Sequence, residues 1–188
     1  MSLTNEQPIS YRIDENNTIY WLSENWLHFA SLNHADERCL PENVIGKPIQ
    51  SFIENENTAC LYTTIIEQVR QRGQGAIFPF RCDAPDIRRF LEFRIIPLEN
   101  SHVEFQSEIL WSESRETIHL LRPDIERSDE TLVICSMCKK AEVEKQWLEL
   151  EIAIEKLQLV ETNSPPTLSH GYCPECLKII MSSIRSKK

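Results

Sequence analysis

Four cysteines fall into two short pairs, Cys135-Ser136-Met137-Cys138 and Cys173-Pro174-Glu175-Cys176. Two residues between thiols let one tight turn aim both sulfurs at a single ion. Two such turns supply the four thiolates that structural zinc takes in a tetrahedron. Pro174 restricts the backbone inside the second turn and removes a donor. Lys139, Lys140 and Lys178 follow the pairs closely. Their ammonium groups would offset the formal charge of about −2 carried by four thiolates and one divalent cation. All-sulfur sites suit zinc first and iron second. A redox dithiol is the alternative use of the same residues. His170, in Ser169-His170-Gly171-Tyr172-Cys173, is read as a structural residue beside a shell that the four thiols already complete.

The remaining cysteines, Cys39, Cys60 and Cys82, read as ordinary buried thiols. Cys82 stands apart because Arg81 and Asp83 flank it, and a neighbouring cation lowers a thiol pKa. Arg81 with Asp83 is expected to form a surface ion pair at a turn, worth about 0–1 kcal/mol. Trp26, Phe29, Phe78, Phe80 and Phe93 are candidate ligand-binding residues, placed to line a pocket between sheet and helices; the same residues serve equally as core. The G-x-S-x-G, P-loop and H-E-x-x-H patterns are absent. A non-enzymatic protein is therefore expected.

These side chains must be positioned by elements that the patterning foretells. Residues 9–14 and 18–22 are β-branched and aromatic runs around Glu15-Asn16-Asn17, a hairpin pattern. Trp26, Phe29 and Ala30 recur at helical spacing behind Ser23, with Leu22 one turn earlier. A short helical turn over 48–53 and a longer helix follow. That helix is capped by Asn57 or Thr58, carries Leu61, Ile65, Ile66 and Val69 on one face, and ends at Gly73. Three strands are expected next, over 76–82, 87–97 and 103–111. Pro79 restricts the first of them to an edge or a bulge. Residues 113–131 are highly charged and read as a linker. After them come a strand over 132–135, a helix over 146–159, a loop at Asn163-Ser164-Pro165-Pro166 and a final helix over 174–184.

The 188 residues carry a net charge of −9, with 41% hydrophobic residues and only four glycines. This composition supports a packed core and argues against nucleic acid or an anionic membrane as partner, since both call for dense Lys and Arg. Residues 1–112 hold 9 basic against 16 acidic residues, and 113–188 hold 11 against 13, so the acidity belongs mainly to the first part. The basic run Arg185-Ser186-Lys187-Lys188 complements a helix C-terminus. No secretory signal pattern and no membrane-length apolar stretch are present, so a cytoplasmic location with reduced thiols is expected. A unit of about 55 residues has too little core to stand alone, which gives a metal staple a physical purpose.

Residues 9–112 resemble a bacterial PAS domain. The resemblance rests on the hairpin over 9–22, Asn25-Trp26-Leu27-His28-Phe29-Ala30, Val44-Ile45-Gly46-Lys47-Pro48, and Phe78-Pro79-Phe80-Arg81-Cys82-Asp83-Ala84-Pro85 leading into two long strands. The second region resembles a C-terminal segment found after PAS domains in some bacterial proteins, through Cys135 to Lys140, Trp147, Glu151 and Ser169 to Cys176. The element order fits an α+β fold: an antiparallel sheet with helices on one face over 1–112, then a charged linker over 113–131 and a four-cysteine zinc unit over 132–188. The resemblance implies a sensory or interaction module that binds an unidentified ligand, dimerises, or contacts a protein partner in a signalling pathway. A thiol-based redox sensor and a zinc-dependent transcriptional regulator are the alternatives.

Overall fold

The computed structural model describes residues 7–32, 37–53, 55–160, 162 and 164–185. The chain opens with β1 (Ile9–Ile13) and β2 (Ile19–Leu22). Their turn is shaped by Asp14, whose Oδ1 accepts from the Asn16 and Thr18 amides at 2.9 and 2.8 Å. Three helices follow: α1 (Trp26–Leu32), α2 (Pro41–Val44) and, after a 3-10 turn over Ile49–Phe52, α3 (Glu56–Arg72). The cap of α3 is Asn55, whose side chain accepts from the Thr58 amide at 3.0 Å. Asn57 and Thr58 fall two and three residues after the cap, inside the first turn of the helix. Gly73 closes the helix at φ 61, the left-handed conformation that glycine adopts without steric cost.

β3 (Ala76–Arg81), β4 (Ile87–Pro97) and β5 (Val103–Ser114) complete a five-stranded antiparallel sheet of order β2-β1-β5-β4-β3. Leu61, Ile65, Ile66 and Val69 of α3 share one buried cluster with Ile13, Phe78, Phe93, Ile95, Val103 and Phe105. The expected apolar helical stripe is the one that covers the sheet. Pro79 lies on the edge strand, opposite Glu92 of β4, as its missing N–H foretold.

The charged stretch 113–131 is more structured than a linker. β5 runs to Ser114, a 3-10 turn spans His119–Leu121, and Ile118 and Leu120 are buried with Leu132 and Ile134 in a second apolar cluster. Arg115 holds the stretch down, donating through Nη2 to the Ala84 carbonyl at 2.8 Å.

β6 (Ser128–Cys135), β7 (Ala141–Val143), β8 (Gln146–Leu148) and β9 (Pro166–Gly171) form a four-stranded sheet of order β8-β7-β6-β9. β6 and β9 run parallel. The helix expected over 146–159 is shorter: α4 spans Leu150–Lys156, and Gln146–Leu148 is a strand. Glu144 and Lys145, at φ 51 and 66, reverse the chain in two residues, and Trp147 then pairs with Glu142. The pattern misled because Trp147 lies one helical turn before Leu150 and its apolar successors. The Pro165-Pro166 loop runs directly into β9, which the sequence pattern did not announce. The final helix, α5 (Pro174–Arg185), is as expected. Of the basic terminal run only Arg185 is among the described residues.

The two regions share their interior. Cys135, Cys173, Cys176, Ile180 and Ile184 belong to the same buried cluster as the face of α3 and the five-stranded sheet.

Candidate metal centre

The parallel pairing of β6 with β9 sets Cys135 opposite Gly171, which brings the turn after β6 beside the turn before α5. Cys135 ends β6, Cys138 lies in the following turn, Cys173 precedes α5, and Cys176 is in its first turn. Backbone bonds close the first turn and tie it to the end of β9. The Lys139 amide donates to the Cys135 carbonyl at 3.0 Å, and the Ser136 amide donates to the Gly171 carbonyl at 2.8 Å. A Cβ on Gly171 would stand 3.2 Å from Val133 Cγ1 and 3.9 Å from Trp147, so glycine keeps this approach close.

The four sulfurs lie within 4.8 Å of one another, with Cys135, Cys173 and Cys176 buried and Cys138 half-buried. Cys138 Sγ and Cys173 Sγ are 3.7 Å apart. A tetrahedron with metal–sulfur bonds of about 2.3 Å has edges of about 3.8 Å, so this separation fits one metal ion between them. Backbone N–H groups turn toward the sulfurs as well. Cys173 donates to Cys135 Sγ and Cys176 donates to Cys173 Sγ, both at 3.4 Å.

Proton sharing within the cluster is uneven. Cys138 and Cys176 direct side-chain hydrogen bonds at Cys135, which holds the Cys135 thiol well below its usual range. The same bonds push Cys138 up to about 12 and raise Cys176 further. Four thiolates held this close would repel one another, and a cation among them would offset that repulsion. Lys139 Nζ donates to the Ser136 carbonyl at 2.9 Å, and burial lowers its pKa. Lys140 pairs with Glu175 at 3.4 Å, and Lys178 is exposed on α5. His170 is exposed on β9, opposite Ile134, and does not belong to the sulfur cluster.

The other thiols depart from the ordinary buried type. Cys60 is exposed, and Cys39 and Cys82 are half-buried. The thiol of Cys82 is raised rather than lowered, because burial outweighs the pull of Lys139 and Arg89. The Arg81–Asp83 pair is also not a surface feature: their side chains are 9% and 2% exposed. Asp83 is shared with Arg115 at 3.1 Å, and Arg81 also reaches Glu149 at 3.2 Å. Arg115 and Arg88 both meet Glu151 at the start of α4.

The aromatic candidates do not gather around one space. Trp26 lines a cavity of about 390 Å³ with Tyr11, Ile19, Val44, Ile49 and Tyr62. Its indole N–H donates to the Cys39 carbonyl at 2.8 Å. Phe78 and Phe93 are buried and pack 5.5 Å apart, centroid to centroid, as core. Phe80 lines a separate cleft of about 350 Å³ beside Cys138 and Cys176. Phe29 is half-buried on α1. Tyr11 and Tyr62 were missed as cavity residues. The alternation of β1 and the position of Tyr62 one residue after Leu61 carried the only signal available.

Fold and site together define an α+β protein whose C-terminal part presents a four-cysteine cluster that could hold a metal ion. No known family model matches the chain, and no curated protein matches it. Solved structures with low-level similarity include the following two. One is a domain of an HTR-like protein from Haloarcula marismortui, with 14% identity and TM-score 0.39, covering 55% of this chain and 98% of that one. The other is a sensory box sensor histidine kinase from Vibrio cholerae, with 14% identity and TM-score 0.39, covering 58% of this chain and 86% of that one. No helix among the described residues is long and apolar enough to cross a membrane.

Proposed function

We propose that this chain is a non-enzymatic, cytoplasmic signalling protein in which a PAS-like sensor or interaction domain is joined to a structural zinc unit. The observation that carries the proposal is the sulfur cluster: four cysteine sulfurs within 4.8 Å, drawn from two turns that a parallel strand pair brings together. Cys135, Cys138, Cys173 and Cys176 would hold the ion. Bound zinc would cross-link the turn after β6 to α5 and neutralise the thiolates. The cavity lined by Tyr11, Trp26 and Tyr62 supports ligand sensing, since about 390 Å³ of largely apolar space lies within the usual range for small-molecule sites. The chain would pass its signal on through contacts with a protein partner or a second copy of itself.

Elemental analysis of protein purified without added metal tests the zinc reading, with about one zinc per chain expected. A chain free of zinc and iron overturns it, and an absorbance band from sulfur-to-iron charge transfer replaces zinc with iron. A thiol-based redox sensor is the second reading, favoured by Cys138, the one ligand of the four that is not fully buried. Peroxide would then oxidise ligand thiols to a disulfide and release the metal. Four inert thiols under peroxide end that reading.

A further inference from the structure

β3 is an edge strand, and its outward amides are bonded by the cysteine-bearing region. Antiparallel pairing turns alternate residues toward β4 and away from it. The residues facing away are Ile77, Pro79 and Arg81, since the Ile77 and Arg81 amides bond outside the sheet and Cys82 donates back to Arg89 of the β4 side. Each of the three is dealt with differently. Ser183 on α5 accepts from the Ile77 amide at 2.8 Å and donates to the Ile77 carbonyl at 2.8 Å, so one hydroxyl satisfies both groups. Pro79 has no N–H to satisfy. The Arg81 amide donates to the Met137 carbonyl at 2.7 Å, inside the first cysteine turn. The Arg81 guanidinium adds a bond to the Cys138 carbonyl at 3.0 Å. Arg72, at the end of α3, donates to the Ile184 carbonyl at 2.7 Å and holds the far end of α5.

The cap on β3 therefore has two arms. One is the turn holding Cys135 and Cys138. The other is α5, which carries Cys176 and follows Cys173. Each arm supplies ligands to the proposed ion, and each separately bonds the edge strand.

We infer that the metal locks this cap: with the ion bound, both arms are joined across the β3 edge, and with the ion removed the arms part and the edge opens. This inference rests on the metal reading above. It gives that site a regulatory output, because metal loading is read as the accessibility of one strand of the sensor-like sheet. Opening would also widen the apolar cleft between Phe80, Phe90 and Ile179, which the same arms wall.

Amide hydrogen exchange on the full chain, followed by NMR before and after chelation, tests it, with metal content measured on both samples. In the loaded protein the Ile77 and Arg81 amides are expected to be protected. After chelation they should lose protection, while Phe78 and Phe80, which bond inward to β4, keep theirs. Protection of all four amides in protein shown to be metal-free would overturn the cap and leave the metal reading standing. Loss at all four together would also overturn it, since sheet and cap would then unfold as one. Protein that never contains metal overturns both. Ser183→Ala checks the α5 arm alone: the Ile77 amide should exchange faster in the loaded protein, with metal content and the Arg81 amide unchanged. An Ile77 amide indifferent to that change overturns the assignment of this arm.

Discussion

Arg81 and Met137 are joined by a backbone hydrogen bond of 2.7 Å that links the edge of the five-stranded sheet to the interior of a cysteine turn. The side chain of Arg81 is held as firmly, by Asp83, by Glu149 and by the Cys138 carbonyl. A single residue thus ties the candidate metal centre to the sheet and to the start of α4.

Asp83 is the anion at the centre of this tie. Its side chain is 2% exposed and faces both Arg81 and Arg115. Asp83→Asn keeps the shape but leaves two guanidinium groups without their buried carboxylate. Breaking a buried pair costs about 3–5 kcal/mol. Chemical denaturation should show a loss of that order, and a change under about 1 kcal/mol would show that the remaining partners, Glu149 and Glu151, suffice.

The ligand set makes a selective prediction. Serine at any one of positions 135, 138, 173 or 176 should abolish stoichiometric zinc, because four-coordinate structural sites depend on every ligand. Cys39→Ser and Cys60→Ser should leave the metal content unchanged. Metal loss should also lower stability markedly, given apparent binding free energies of about 10–16 kcal/mol for structural zinc in small peptides at neutral pH. Mass spectrometry of native protein with a thermal melt reads both.

Phe105 is fully buried and stacks on Tyr11 at 4.7 Å between ring centroids. Phe105→Ala removes an aromatic ring from the junction of β1, β5 and α3. A loss of about 3–5 kcal/mol is expected in urea denaturation.

Tyr62 gives a pH dependence with a definite sign. Burial raises its phenol well above the ordinary value of 10.0, and Tyr172 adds a smaller push in the same direction. The folded phenol stays neutral where the unfolded one ionises. Its contribution to stability is complete below about pH 10 and is lost as pH rises toward the folded value. The urea midpoint should therefore fall above pH 10, and Tyr62→Phe should flatten that fall. Tyr11, raised by its own burial, would keep part of it. Identical profiles for the two proteins would show that Tyr62 ionises alike in both states.

Glu144 and Lys145 both hold positive φ in the two-residue turn between β7 and β8. Non-glycine residues in this conformation cost about 1–2 kcal/mol each, and Asn-Gly is the favoured pair for such turns. The double substitution E144N/K145G should raise the midpoint of thermal unfolding without changing the metal content.

The residues show what could be read in advance and why the rest could not. Gly73 ended α3 as expected, since a helix terminus is a local event that one glycine can decide. Pro79 marked an edge strand, since a missing N–H is a property of the residue. Trp147 misled: the tight turn that makes it a strand residue uses Glu144 and Lys145, neither of them a turn-forming type. β9 was invisible because its partner, β6, lies some thirty residues earlier, and parallel pairing leaves no local period. Arg81 and Asp83 read as a surface pair because nothing local told that Arg115, Glu149 and Met137 would close over them.

By itself the sequence determined the two cysteine pairs, the order of β1, β2, α1, the 3-10 turn, α3, β3, β4 and β5 without the intervening α2, and the apolar face of α3. These depend on residue type and short-range spacing. Only the tertiary structure decided that the pairs meet at one point, that the cysteine region seals the β3 edge, and that one apolar interior serves both parts. Those features depend on which distant segments exclude water together, a condition no single stretch of chain contains.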